Sequence, residues 1–232
     1  MLTPRLRRRL LARIAYVRRN RCSALLAALC LFILVNPLFA DTRVGATALN
    51  VFLLGILTIA VWALKVRWVS LLGVVALGIA AMVAIMNHRF GGEIAWVRPT
   101  ALVLAALFVA AVTVALLRYV LDYHIITTDK VFGAVSAYVL IAFTFALFFG
   151  LVQLVEPNAF HVAVTHDEGG MLSWMTMMYF SFTVLTSTGF GEITPVTDMA
   201  RSLIVIEQVI GVMYVAFLVA RLANLYGSHE RR

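Results

Sequence analysis

Apolar residues run along this chain in long unbroken blocks, not in the alternation of a strand or the one-sided stripe of a soluble helix. Six blocks, at residues 22–40, 44–64, 68–86, 100–118, 131–154 and 199–226, approach or exceed the roughly 20 residues that cross a hydrocarbon core about 30 Å thick. They predict six transmembrane helices. Backbone polar groups surrounded by lipid are satisfied only within helices or closed barrels, so the expected fold class is all-α and polytopic. A seventh block, Trp174 to Leu185, is too short to cross. Gly169-Gly170 mark a turn before it, and Ser173 stands where a helix N-cap belongs. A half-crossing helix that runs into irregular backbone is tolerated at membrane depth only against protein or a water-filled cavity. This block therefore predicts a re-entrant pore helix.

The polar run behind it, Thr186-Ser187-Thr188-Gly189-Phe190-Gly191-Glu192, followed by Ile193-Thr194-Pro195, carries the most specific chemistry in the chain. Gly189 and Gly191 lack the Cβ that opposes left-handed backbone, which lets successive carbonyls aim at one axis. Phe190 between them would point away from that axis and wedge the loop against its surroundings. Loops of the TVGYG type form filters in which rings of carbonyls replace the hydration shell of an ion. Ser187 to Gly191 resembles the filter of the potassium-channel pore family, with Glu192 where that family usually has Asp.

The resemblance runs from about residue 126 to 226. Asp129-Lys130-Val131 through Pro157-Asn158-Ala159-Phe160 is similar to the outer helix and following loop of bacterial six-span relatives in the ion-transport group, and Pro195 matches the family's proline ahead of the inner helix. Gly211, 19 residues after Glu192, falls at the gating hinge of the two-helix potassium channels, a position that close helix packing explains equally well. The resemblance implies potassium bound at Ser187, Thr188, Gly189 and Phe190 as a permeant ligand, with no cofactor. One loop per chain cannot enclose an ion, so a homotetramer is expected. Departures bear on the filter's support. Ser187 replaces the usual Thr and keeps its hydroxyl, as in ether-à-go-go-type channels. Thr188 replaces Val or Ile and adds a hydroxyl that needs a partner. Thr183 stands where many relatives have a buried acid. Glu207, inside the last block, is costly at that depth and functional by default. It is expected either protonated behind the pore helix, with Thr183 its candidate partner, or ionised towards a central cavity.

Composition agrees with a membrane protein: 63% of residues are apolar and 13% charged, against about a quarter charged in soluble domains. With a cytoplasmic N-terminus, fifteen of the nineteen Lys and Arg residues fall inside, the positive-inside bias. The termini are thus expected in the cytoplasm of a multi-pass plasma or inner membrane protein. The same threading puts Asp41, Glu93, Glu156, Asp167, Glu168, Glu192 and Asp198 outside, on the filter's side. The net charge of +8 then reflects topology and anionic lipid, not nucleic acid. The fourth block has no basic residue between Arg98 and Arg118. A voltage sensor needs several, because each charge contributes only about 2.3 kcal/mol per 100 mV.

Three parts are expected: a basic arm (1–21), a four-helix membrane domain without sensor arginines (22–123), and a pore domain (124–232). Leu38 is a poor signal-peptidase residue, so the first span is expected to remain uncleaved. Cys22 and Cys30 read as packing residues, as do Met175, Met177 and Met178, and His161 and His166 as surface residues. No nucleophile–base pair or phosphate cradle indicates an enzyme. The expected function is a passive potassium-selective channel. The alternatives are a weakly selective cation channel and a subunit of a channel-derived ion transporter.

Overall fold

The computed structural model describes residues 21–39, 42–63, 73, 75–83, 97–121, 128–163 and 172–229. Residues 1–20 of the basic arm, nine of the nineteen residues of the third apolar block, Gly169-Gly170, and Asp41, Arg89, Glu93, His166, Asp167 and Glu168 lie outside the described residues. Six labelled helices follow in order: α1 (Arg21–Phe39), α2 (Arg43–Ala63), α3 (Val97–Leu121), α4 (Thr128–Val155), α5 (Trp174–Leu185) and α6 (Asp198–His229). Residues 75–83, within the third block, are also helical. Among the described residues, four helices are long and apolar enough to cross a membrane: α1, α3, α4 and α6 as far as Arg221. The chain is a helical, multi-pass membrane protein.

The all-helical expectation omits one feature. Phe160–Val162 (β1) and Ile193–Pro195 (β2) form an antiparallel pair, with Phe160 opposite Pro195 and Val162 opposite Ile193. Three residues per strand are too few to show a period-2 pattern. Two further bonds extend the pairing, Ala163 N–H to Glu192 O at 2.8 Å and Val196 N–H to Ala159 O at 2.8 Å. The chain leaving the candidate filter is thereby fixed to the chain leaving α4.

The centre of the fold is α4, which packs against α1, α3, α5 and α6. Its buried face carries Gly133, Ala134, Ala137, Ala142 and Ala146, small residues that allow close approach where lipid offers no hydrophobic drive. A Cβ on Gly133 would press on Cys22 Sγ and Val120 Cγ2, each at 3.1 Å. Its buried hydroxyls stay within the helix: Ser136 donates to Phe132 O and Thr144 to Leu140 O. Aromatic rings hold α5 against it. Phe143 contacts Phe32, Trp174 and Phe182, while Phe149 contacts Phe160 and Phe180. Cys22 is packed in this core, whereas Cys30 lies on an exposed face of α1, contrary to the packing role expected for it. Any residue suits a lipid-facing position in an apolar block, so its type did not indicate its side.

Candidate functional site

The short helix α5 forms where the sequence places it, Trp174 to Leu185, and Ser173 caps it by accepting from Thr176 N–H at 3.2 Å. Its other end is unusual in how its last four carbonyls, which have no partner within a helix, are used. Phe182 O accepts Thr186 N–H (3.1 Å) and Val184 O accepts Ser187 N–H (2.9 Å); Thr183 O accepts both Thr188 N–H (2.9 Å) and Gly189 N–H (3.1 Å). Leu185 O accepts the Tyr138 hydroxyl from α4 at 3.1 Å. The loop is thus wrapped onto the carbonyl end of a helix, where the dipole places roughly half a negative charge. Cations are favoured there.

Backbone handedness alternates along the loop. Ser187, Gly189 and Gly191 have φ of 56°, 54° and 82°, and Thr188 and Phe190 between them do not. Alternation of left- and right-handed residues turns successive carbonyls towards one side, whereas a strand would alternate them. A Cβ on Gly189 or Gly191 would meet nothing within 4 Å, so glycine is required there by its dihedral angle alone. Ser187 is the non-glycine in left-handed conformation, at a cost of about 1–2 kcal/mol, and strain of this kind concentrates at functional sites.

The side chains of Thr186, Thr188, Phe190 and Glu192 each have a partner. Thr186 Oγ1 donates to Phe182 O at 2.7 Å and lies 2.8 Å from Thr188 Oγ1. A hydroxyl has one proton, so Thr188 must be the donor in the second contact. The extra hydroxyl of Thr188 therefore has its partner and takes no hydrogen bond from the loop's backbone. Glu192 accepts the Tyr179 hydroxyl at 3.0 Å, and Phe190 stacks on the Tyr179 ring with centroids 6.3 Å apart and an interplanar angle of 2°. Phe190 nevertheless stays 66% exposed in the single chain.

Behind the loop, Glu207 is fully buried, and its partner is not the expected Thr183. Thr183 Oγ1 donates to Phe180 O at 2.8 Å; Ser181 Oγ lies 2.5 Å from Glu207 Oε1 and 2.7 Å from Ala142 O. Positions 181 and 183 face different ways on a helix, and α5 is apolar on every side, so the sequence offered no means of choosing between them. Proton counting fixes the direction. Ala142 O only accepts, so it takes Ser181's single proton, and the Ser181–Glu207 contact then requires a proton from Glu207. The second carboxyl oxygen has no partner, a cost that a neutral acid tolerates and an ionised one does not. Thr183 supports the loop through its carbonyl instead.

Gly211 sits where α6 crosses the end of α5. A Cβ there would fall on the Leu185 carbonyl, so the glycine makes a backbone-to-backbone contact. Tyr138 and Tyr214 also anchor this crossing. Their rings lie 5.6 Å apart, and the Tyr214 hydroxyl donates to Ala134 O at 2.7 Å. Neither tyrosine figures in the sequence reading, although a tyrosine inside an apolar run needs a partner for its hydroxyl and could have been marked on that ground. His161 lies exposed on β1 opposite Thr194, as expected of a surface residue.

Residues 136–227 match a family model described as an ion channel. Over 84 residues the chain is 26% identical to "Potassium channel subfamily K member 1" of Oryctolagus cuniculus, an alignment that covers 35% of this chain and 25% of that protein. The chain thus spans about a quarter of the length of the curated relative it matches. No solved structure matches. The matched region takes in most of α4, all of α5, the loop with alternating handedness and nearly all of α6, and in it the chain is similar to ion channels.

Proposed function

We propose that the chain assembles as a homotetramer around a central filter and conducts potassium passively across a cell membrane, with both termini cytoplasmic. The observation that carries this reading is the loop of residues 187–191, whose alternating handedness directs its carbonyls to one side while three of the four terminal carbonyls of α5 hold the loop and the fourth is fixed by Tyr138. Ser187, Thr188, Gly189 and Phe190 supply successive layers of carbonyl oxygen, and the Ser187 hydroxyl adds an innermost ligand. Stacked sites allow both selection and exit by ion–ion repulsion. The potassium-channel relative supports potassium as the permeant ion.

Assembly is supported by the surfaces a single chain leaves uncovered. Phe190 and the α6 residues Val205, Val209, Val212, Met213 and Phe217 are each more than half exposed, a contiguous apolar face of the kind that marks an interface. Four copies related by a closed rotation axis would bring four loops to one axis and cover part of this face. The rest would line the conduction path or meet lipid.

The test is the reversal potential of purified protein in a planar bilayer under opposed potassium and sodium gradients, with the mass of the particle measured in native lipid. A value near the potassium equilibrium potential from tetramers is expected. A value midway between the two ions would overturn potassium selectivity, and monomers or dimers would overturn the assembly.

A further inference from the structure

Three polar side chains interrupt the apolar run of α6 between Leu203 and Ala220. Two have partners, Glu207 at Ser181 and Tyr214 at Ala134 O. The third, Gln208, is exposed in the single chain and has no hydrogen-bond partner among the described residues. Its amide brings an acceptor oxygen and two N–H donors into a segment that crosses a membrane, where such groups bond to neighbouring elements. Gln208 reaches the back of the filter loop. It lines a pocket of about 40 Å³ whose other walls include Tyr179 and Thr183 of α5 and the loop residues Gly189, Phe190 and Gly191. That space suits a side-chain head group and is far below the roughly 300–1,000 Å³ of a separate ligand's site.

The loop offers the matching donors. Its peptide bonds are trans, so the N–H of each residue points opposite to the carbonyl before it. Carbonyls of Ser187 and Thr188 directed to one side therefore turn the N–H groups of Thr188 and Gly189 to the other, where both meet Thr183 O, at 2.9 and 3.1 Å. The carbonyls of Gly189 and Phe190 turn the N–H groups of Phe190 and Gly191 the same way. These two donors have no acceptor among the described residues. Thr183 O, with both lone pairs engaged, takes no more. We infer that Gln208 is a positioning residue of the filter: its side-chain oxygen accepts from Phe190 N–H and Gly191 N–H across the pocket, as Thr183 O does for the two residues before them. The inner carbonyls are then held by α5 and the outer ones, of Gly189 and Phe190, by α6. This role rests on the reading of residues 187–191 as a conducting filter.

The protein is reconstituted in liposomes, and amide hydrogen exchange along the loop is followed residue by residue by solid-state NMR, a readout that needs no ion current. Gln208→Met keeps the length of the side chain and removes its amide. In that variant the N–H groups of Phe190 and Gly191 should exchange about tenfold faster, the equivalent of about 1.4 kcal/mol or one hydrogen bond, while those of Thr188 and Gly189, held by Thr183 O, should keep their native rates. Its sodium-to-potassium permeability ratio should rise. In the native protein a through-space cross-peak should join the Gln208 side-chain amide to Gly191 N–H; should Gln208→Met fail to assemble, that cross-peak decides. Its absence, or unchanged exchange at Phe190 and Gly191, would overturn the proposal. Potassium-selective native current with unchanged exchange would sink the role of Gln208 alone, whereas faster exchange without selective native current would sink the filter reading and leave the Gln208 bonds standing.

Discussion

Replacement of Glu207 separates a structural acid from a charge that acts on ions. Glu207 is fully buried, and the bond count at Ser181 requires it to donate. Glutamine has nearly the same shape, and its amide can donate to Ser181 Oγ while its carbonyl takes the place of the unpartnered oxygen. One hydrogen bond is exchanged for another, at a cost below about 1 kcal/mol per subunit. Alanine deletes the donor and leaves a void where a buried side chain stood. Large-to-small changes at such positions cost about 2–5 kcal/mol, and a tetramer incurs that cost in every subunit. The assay is the fraction of detergent-resistant oligomer against temperature, with unitary conductance recorded from what survives. Glu207→Gln should melt and conduct close to the native protein, and Glu207→Ala should fall apart at a markedly lower temperature. If glutamine lowered conductance tenfold or more while the oligomer stayed intact, the carboxyl would be an ionised cavity charge and the proton count would be wrong.

Four other outcomes are expected. Gly189→Ala should fold and assemble yet lose selective current, because its Cβ has open space and opposes only the φ of 54°, at about 1–2 kcal/mol per subunit; native reversal potentials from this variant would refute the carbonyl geometry. Thr188→Val should leave the reversal potential unchanged, since Thr186 keeps its bond to Phe182 O, and a shift towards potassium would show that the native hydroxyl loosens the filter. Gly211→Ala should lower oligomer yield through its clash with Leu185, whereas a hinge glycine would leave yield intact and alter only open probability. Asp129→Ala, which uncaps α1, should cost about 0.5–2 kcal/mol locally and speed maleimide labelling of the buried Cys22 in a Cys30→Ala background; an unchanged rate would remove Asp129 from that role.

What could be read from the sequence was what depends on local pattern. Apolar blocks, the cap at Ser173 and the length of α5 follow from composition and spacing, and α5 begins and ends at Trp174 and Leu185 as predicted. The need for left-handed backbone at Gly189 and Gly191 was legible in the same way. What could not be read was which side of each apolar helix faces what. Glu207 was marked as a buried acid, but its pairing with Ser181 instead of Thr183 depends on the rotation of α5 against α6. Gly211 presented two readings, and only the approach of α6 to Leu185 O favours packing. The β1–β2 pair and the caps contributed by Tyr138 and Asp129 join residues far apart in sequence, which no local window contains.

These long-range contacts connect the helices ahead of α4 to the loop of residues 187–191. Among the described residues of α3, the arginines lie only near its ends, at Arg98 and Arg118, so the membrane field has almost no charge to move there. Helices α1, α2 and α3 still meet α4 and α5 at two places. At one end of α4, Asp129 accepts from Cys22 N–H of α1 at 2.9 Å and from the Tyr119 hydroxyl of α3 at 3.2 Å. At the other, a cavity of about 450 Å³ is walled by α1, α2, α3, α4 and the first turn of α5. Because α5 delivers all four of its terminal carbonyls to the filter loop and to Tyr138, a small displacement of its first turn reaches the filter through one rigid helix of 12 residues. A stimulus that shifts α1 or α3 thus has a direct mechanical route to residues 187–191, which does not depend on charge movement.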